Sequence, residues 1–392
     1  MSIPTYEAMF KQIRINFWLS GIPFDDNKFN LRFFFLCFIL VLMIVEESSF
    51  FVFKISSENF LELTQLTPCL AIGTMSFLKI CSLTVKRHKI FVLTQNLKIL
   101  YEGILNNPKK KKIVEQDMIR ITLLLKYYFV LNAILISVYN FSSPLIMLYN
   151  YTIRKSAIFI LPYAVLVPFS IDTWYKWFVV YCQSICAGFI CVLFFTTLDS
   201  LYCILTCHIC SNYIVVSNEI QCLDKSDVTG LKIIVQRTYI KTFFNSINLL
   251  AQDLEDIFTV PNLYNVLVGS LEMCALGFNL TTGDWSKIPG CILFLFSVLL
   301  RILMMSVFGQ NLIKQSETVG ESAYKCNWVN MDQNSKMMIL NIMIRSQKAQ
   351  RLTAYKFSII SHNSFTKIVS TAWTYFTLLR TVYTPPECEF VL

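Results

Sequence analysis

Seven long apolar runs dominate this 392-residue chain and constrain its fold more than any other feature. About twenty consecutive apolar residues, when helical, match the thickness of a bilayer core. Hydrophobic residues make up 55% of the chain, which is more than an average soluble domain contains. The sequence therefore predicts an all-α integral membrane protein with seven transmembrane helices. The predicted spans are 33–53, 63–85, 124–149, 177–208, 257–280, 288–312 and 365–384.

Basic residues are distributed unevenly between the two sides of these spans. The side that holds the N-terminus carries 24 of the 34 Lys and Arg, and the other side carries five. Cytoplasmic loops are enriched in Lys and Arg, so the bias predicts a cytoplasmic N-terminus and an extracellular C-terminus. The resulting layout is a cytoplasmic segment at 1–32, helices 1 to 6 at 33–312, a cytoplasmic anchor segment at 313–364, helix 7 at 365–384 and an extracellular tail at 385–392.

Two glycosylation sequons, Asn150-Tyr-Thr152 and Asn279-Leu-Thr281, fall on the predicted extracellular side. The orientation is opposite to that of G-protein-coupled receptors. Their Asp-Arg-Tyr motif does not follow the third span, and Asn-Pro-x-x-Tyr does not end the seventh. The sequence therefore disfavours a G-protein-coupled receptor.

The seventh span carries a stripe of hydroxyl side chains. Ser370, Thr374, Thr377 and Thr381 are spaced by four, three and four residues, so on a helix they share an arc of roughly 60°. Such a stripe either packs against neighbouring helices or lines a water-filled path. The sequence leaves both interpretations open.

Charged residues also occur inside the predicted spans, where they are costly and are functional candidates. For each of these charged residues, an ion pair with a charged residue on another helix is the simpler interpretation. Asp199 lies deepest and most needs a buried partner, which the sequence does not identify. The set comprises Glu46, Glu47, Lys79, Asp199, Glu272 and Arg301.

The sequence lacks the motifs that are typical of several classes of enzyme. No Walker loop, Gly-x-Ser-x-Gly or His-Glu-x-x-His sequence is present, so no enzyme and no cofactor are predicted. Cys207-His-Ile-Cys210 lacks a second ligand pair, which disfavours zinc. The basic run Lys109–Lys112 is interpreted as a solvated loop or as a contact for anionic membrane lipid, and nucleic acid is not expected as a partner.

The C-terminal motifs carry a family resemblance. They are Glu321-Ser-Ala-Tyr324, Trp328, Arg345-Ser-Gln-Lys348, Leu352-Thr-Ala354, Phe357, Phe365 and Ala372-Trp-Thr-Tyr-Phe-Thr-Leu-Leu-Arg380. In order and spacing they resemble the C-terminal signature of insect odorant receptors, which are odorant-gated cation channels. A weaker resemblance to moth and butterfly receptors covers Ser57–Cys69.

The resemblance implies a subunit of a tetrameric channel in which helix 7 lines the pore and Leu378 and Thr381 lie at the gate. It also implies an intracellular anchor that takes in 209–256 and the stretch near 333–349. The chain lacks the long insertion of the family's co-receptor, so it resembles a ligand-tuning subunit that forms a heterotetramer with that co-receptor. Thr381-Val382 stands where gustatory receptors have Gln-Phe. A gustatory channel, a metabotropic receptor and a transporter remain alternatives.

The family also suggests a pocket for a small volatile odorant in the outer half of the membrane, between helices 2, 3, 4 and 6. The expected location is the plasma membrane of olfactory sensory neurons. Ordinary helix packing is the alternative role of each candidate. The candidate ligand-binding residues are Ile72, Gly73, Ser76, Ser137, Asn140, Phe141, Tyr181 and Ser184.

Overall fold

The computed structural model describes residues 3–23, 29–55, 60–154, 159–225, 231–282 and 288–382. Lys28, Lys155, Lys287, the first residues of the Ser57 motif and the predicted tail at 385–392 lie outside the described residues.

Within these ranges the chain forms nine α-helices and one small β-hairpin. The helices correspond to every predicted span, and several extend far beyond it. The elements are α1 (Tyr6–Ser20), α2 (Leu31–Phe53), α3 (Phe60–Leu105), α4 (Pro108–Tyr149), α5 (Trp174–Gln221), α6 (Leu231–Thr282), α7 (Ile288–Lys325), α8 (Gln333–Ser346), β1 (Thr353–Ala354), β2 (Ser358–Ile359) and α9 (His362–Val382).

The central element of the fold is α5, which contacts α1, α2, α3, α4, α6 and α7. At about 1.5 Å per residue its 48 residues span roughly 72 Å, more than twice a bilayer core. The prediction that this helix projects beyond the bilayer is thus consistent with its length. Nearly every side chain between Phe194 and Val216 is buried, so this stretch forms the core of the bundle.

Helix α1 was not expected from the sequence. Its apolar side chains recur every three or four residues, and Phe10 and Ile13 are buried against the long helices. The rings of Tyr6 and Tyr101 lie 5.0 and 4.9 Å from that of His208. His208 therefore packs among aromatic rings.

The Cys207 and Cys210 thiols are buried in α5. Within the described ranges, no group of three or more His, Cys, Asp or Glu side chains is arranged to hold a metal ion. Cys207 and Cys210 therefore behave as small apolar side chains packed in the core of α5.

The basic run Lys109–Lys112 is the first turn of α4 and not a loop. The Asn107 side chain accepts hydrogen bonds from the backbone N–H groups of Lys109 and Lys110, and Pro108 occupies the first turn. The Lys110 ammonium lies 2.5 Å from the Glu219 carboxylate on α5. One of the four lysines is thus engaged by the protein itself.

The second sequon is wrong as a glycosylation site. Asn279 is buried, and its side-chain amide donates to the Thr64 carbonyl of α3 at 3.0 Å. A buried and bonded amide offers no surface for a glycan.

A short hairpin, which the all-α expectation did not include, connects α8 with α9. Thr353 pairs with Ile359 and Ala354 with Ser358, and Tyr355 and Lys356 take positive φ in the turn. The hairpin is tied to α6, because the Tyr355 amide donates to the Thr259 carbonyl at 3.2 Å. The start of α9 is therefore held against α6.

Six of the described helices, α2 to α7, are long and apolar enough to cross a membrane. Helix α9 has 21 residues but is too polar to join this set. Its hydroxyl stripe and flanking polar residues account for the difference.

Candidate functional site

A cavity of about 60 Å³ lies inside the helix bundle. It is enclosed by α2, α3, α4, α5 and α7, together with Tyr163 from the segment before α5. Most of its walls are apolar. Its lining is Leu40, Met43, Ile44, Glu47, Cys69, Ile72, Gly73, Leu135, Ile136, Tyr139, Tyr163, Ala187, Gly188, Cys191, Val192, Phe195 and Phe294.

Two of the predicted ligand-binding residues, Ile72 and Gly73, line this cavity. Ser76 lies one turn further along α3 and is fully buried. Its hydroxyl donates to the Ile72 carbonyl at 2.7 Å and contacts the Cys191 sulfur at 3.0 Å. Ser76 thus contacts two residues of the cavity wall, Ile72 and Cys191, without lining the cavity itself.

Asn140, Tyr181 and Ser184 lie around the cavity without lining it, and all three are buried. The Tyr163 hydroxyl donates to the Asn140 side-chain oxygen at 3.0 Å. The Tyr181 hydroxyl donates to the Asn140 backbone carbonyl at the same distance. Asn140 therefore positions a cavity-lining ring and connects it to α5.

Ser137 and Phe141 lie away from the cavity. Phe141 is 49% exposed, and the Ser137 hydroxyl donates to the Ala133 carbonyl of its own helix. Phe141 is on the outer surface of α4 and Ser137 is half-buried beside it, because the side of the helix that holds Ile136 and Asn140 faces inward. The structure does not bring these two residues together with the others.

The contribution of α2 was missed by sequence reasoning. Leu40, Met43, Ile44 and Glu47 form one wall of the cavity. Their spacing of three and four residues is the signal that was available, and Glu47 had already been identified as an intramembrane charge. The rotation of α2 about its axis is what the sequence did not reveal.

Close approach at Gly188 shapes the cavity. A Cβ atom at this position would lie 2.6 Å from the Tyr163 hydroxyl oxygen and 2.9 Å from the Ile136 Cδ1 atom. At Gly73, by contrast, the nearest atom would be Ile44 Cγ1 at 3.5 Å, an ordinary contact. Only the first glycine is required for the walls to meet.

The hydroxyl stripe of α9 points away from the rest of the subunit. Helix α9 buries Ser364, Ile368, Ala372 and Phe376, and the Phe376 ring packs with Cys274 and Phe278 of α6. At 100° per residue, the stripe lies roughly opposite this buried face. Its members and the adjacent Leu378 are exposed: Ser370, Thr374, Thr377, Leu378 and Thr381.

The threonine hydroxyls of the stripe donate to backbone carbonyls of their own helix. Thr374 donates to Ser370 at 3.0 Å, and Thr381 donates to Leu378 at 2.8 Å. Each oxygen still has lone pairs that face outward. The stripe is therefore a wettable surface that needs no partner helix to satisfy its donors.

Two buried ion pairs lie deeper in the bundle. The Lys79 ammonium on α3 is 2.7 Å from the Asp199 carboxylate on α5, and Tyr128 on α4 donates to the same carboxylate at 3.2 Å. Arg301 on α7 pairs with Glu272 on α6. The interhelical pairing expected for these charges is thus present in the structure.

The model of the 7tm odorant receptor family matches residues 59–373. The chain belongs to this family of multi-pass membrane receptors. The six apolar helices and α9 account for the seven spans in the family's description.

Individual relatives agree with this assignment. Odorant receptor 92a of Drosophila melanogaster is 25% identical over 96% of this chain and 93% of its own length. The odorant receptor coreceptor of Anopheles gambiae is 25% identical over 33% of this chain and 28% of its own. The structure of the insect olfactory receptor OR5 from Machilis hrabei in complex with eugenol aligns with a TM-score of 0.83 at 16% identity, covering 96% of this chain and 98% of that one. This last match shows a shared fold.

Proposed function

We propose that this chain is the ligand-tuning subunit of an odorant-gated cation channel, which it forms as a heterotetramer with the odorant receptor co-receptor. The observation that carries the proposal is the pairing of an enclosed apolar cavity with a helix whose hydroxyl face is turned away from its own subunit. A cavity of this kind suits a small volatile ligand. The outward face of α9 suits a pore wall shared with neighbouring subunits.

In this proposal Thr381 and the other stripe hydroxyls form the wet wall of the pore. Leu378 is 57% exposed and lies about 60° from the centre of the stripe. A ring of such leucines closes a narrow pore by excluding water. The ligand opens the pore only to the extent that it binds the open state more tightly than the closed one.

Helix α7 supplies a physical connection between the cavity and the pore helix. Phe294 lines the cavity, and Gly309 packs against Ile360, two residues before α9 begins. These two positions are 15 residues apart on one helix, or roughly 22 Å at 1.5 Å per residue. A displacement of α7 at the cavity therefore reaches the start of α9.

Expression in oocytes with and without the co-receptor, during exposure to a panel of volatiles, tests the channel function. We expect current only when both subunits are present. A gustatory channel would instead respond to sugars or bitter compounds, and a transporter would show saturable uptake without single-channel events.

Replacing Leu378 and Thr381 with alanine tests the pore assignment. We expect a changed reversal potential, rectification or block. Thr318→Val is the matched control, because the Thr318 hydroxyl also donates to its own helix, at the Lys314 carbonyl, but lies on α7. Currents that keep all three properties in both variants would exclude α9 as the pore lining.

The proposed topology places the N-terminus in the cytoplasm of olfactory sensory neurons and α9 with its C-terminal end outside. Epitope tags at each end, stained on intact cells, test it. A metabotropic receptor with the usual orientation would expose the N-terminal tag instead.

A further inference from the structure

The cavity contains a carboxyl group, that of Glu47, which pairs with no basic side chain among the described residues that line it. Glu47 lines the cavity and is only 1% exposed. Its Oε1 atom has no hydrogen-bond partner within the described part of the chain. A Cβ at the neighbouring Gly73 would lie 4.0 Å from the Glu47 Oε2 atom, so this part of α3 is in ordinary contact with the carboxyl group. A buried polar atom without a partner is costly, so this site favours a ligand that supplies a donor.

The described residues that line the cavity include no basic side chain that could donate to Glu47. Among the described residues that line the cavity, none is Lys, Arg or His. The buried Lys79 and Arg301 pair with Asp199 and Glu272. The adjacent carboxyl, Glu46, does not line the cavity, and it accepts a hydrogen bond from the Gln183 amide at 2.8 Å. The Glu47 carboxyl therefore has no basic side chain beside it among the described residues that line the cavity.

Aromatic rings complete the environment of this carboxyl. Tyr139, Tyr163, Phe195 and Phe294 all line the cavity. The faces of such rings attract cations, and their effect is larger where water is excluded. A carboxyl group among aromatic rings can replace, through hydrogen bonding and cation–π contacts, part of the hydration that a protonated amine loses on entering an apolar site.

We propose that this cavity selects small amines, with the ammonium group donating to Glu47 and the alkyl chain packed on the apolar walls. This inference rests on the proposed function in taking the cavity as the odorant site. One water needs roughly 10–15 Å³ of such space, so about 60 Å³ holds roughly four to six water-sized groups. A primary amine with a short alkyl chain, such as butylamine, fits this size.

The test measures ligand-induced thermal stabilisation of the purified full-length chain in detergent, which does not depend on channel activity. The probes are butylamine and 1-butanol at equal concentration and constant pH and ionic strength. We expect butylamine to raise the Tm at concentrations at least ten-fold lower than 1-butanol. In Glu47→Gln we expect the concentration of butylamine needed to rise at least ten-fold and that of 1-butanol to change less than three-fold.

Glu46→Gln is the matched control, because it removes an adjacent carboxyl that does not line the cavity. It should retain the preference for the amine. Glu47→Asp keeps a carboxyl group at this position and should retain part of the preference for the amine.

Equal stabilisation by the two probes, no stabilisation by butylamine, or an unchanged response to butylamine in Glu47→Gln would each overturn the amine assignment. The absence of volatile-evoked current in oocytes would count against the channel function instead, so the two failures are distinguishable.

Discussion

The Lys79 ammonium lies 2.7 Å from the Asp199 carboxylate, in a part of the bundle where the Lys79 side chain has no exposed surface. The two residues are 120 positions apart in the chain. Their pairing joins α3 to α5 directly. Tyr128 adds α4 to the same cluster through its hydroxyl.

Removing one partner of this pair should destabilise the subunit strongly. Lys79→Met leaves the Asp199 carboxylate buried without a cation, which costs about 3–5 kcal/mol in comparable sites. We expect a lower Tm in detergent and less protein at the cell surface. Lys79→Met combined with Asp199→Leu should recover most of the loss, because neither charge then remains buried.

Lys89→Ala is the control for this experiment. Lys89 pairs with Asp256 at 2.7 Å, but its side chain is 59% exposed. Solvent screens an exposed pair, so its loss should have little effect on the Tm. A Lys79→Met protein as stable as Lys89→Ala would contradict the structural importance of the buried pair.

Alanine substitutions at two glycines of the cavity should reduce the sensitivity to odorant by different amounts. Gly188→Ala brings a methyl group into contact with Tyr163 and Ile136, so the Tyr163–Asn140 hydrogen bond must shift. We expect at least a ten-fold rise in the ligand concentration for half-maximal current. Gly73→Ala fits without displacement and should cause only a few-fold rise.

Gly103→Ala controls for helix propensity in this series, since a Cβ at that position meets nothing within 4 Å. It should leave sensitivity unchanged and stabilise α3 slightly, by about 0.5–1 kcal/mol. If Gly188→Ala behaved like Gly103→Ala, the cavity would not be where the ligand binds.

Gly309→Ala should separate ligand binding from channel opening. A Cβ at Gly309 would lie 2.6 Å from the Ile360 carbonyl oxygen, so the backbone that leads into α9 must move. We expect a smaller maximal current with the ligand-induced Tm shift retained. At Gly277, which also faces α9, a Cβ would meet the Phe376 ring at 3.5 Å, and Gly277→Ala should be tolerated. A reversed order of effects would exclude the Gly309 contact as the connection to the pore helix.

The start of α8 should be insensitive to pH across the physiological range. Asp332 caps this helix, and hydrogen bonding from Ser335 together with the nearby Arg237 guanidinium lowers the pKa of its carboxyl to about 2, from 3.8. Because the pKa is lower in the folded protein, the stabilisation is complete above pH 3.8 and is lost as the pH falls through about 2.

Hydrogen exchange of the α8 amides, corrected for intrinsic rates, measures this effect. Protection should be constant between pH 8 and 5 and should fall only in strongly acidic solution. Asp332→Asn should remove this acid dependence. A loss of protection near pH 6 in the wild-type chain would contradict the cap.

The sequence predicted the elements of this fold better than their contacts. Apolar runs and their length located a helix at each of the seven predicted spans, and six of these helices are long and apolar enough to cross a bilayer. The outward direction of the α9 stripe agrees with its polarity. In contrast, Lys79 was not identified as the partner of Asp199, since nothing local links positions so far apart in the chain.

The lining of the cavity could likewise be predicted only in part from the sequence. Ile72 and Gly73 line it, whereas Phe141 lies on the outer surface of α4 and Ser137 is half-buried beside it. The sequence does not show how each helix is rotated about its axis, and a rotation of 100° per residue separates the inner from the outer face of a helix. Glu47 was visible as a charge in an apolar run, but its position in the cavity required the packing of five helices.

The exposed face of α9 also bears on how such a chain can change over evolutionary time. Substitutions at Thr374, Thr377 or Thr381 leave the core contacts of Ile368, Ala372 and Phe376 in place, so they cost the subunit little folding stability. In the proposed channel, selection on these positions would then act through the neighbouring subunits and the permeating ions. The properties of the proposed pore can therefore change without any repacking of the helix bundle that supports it.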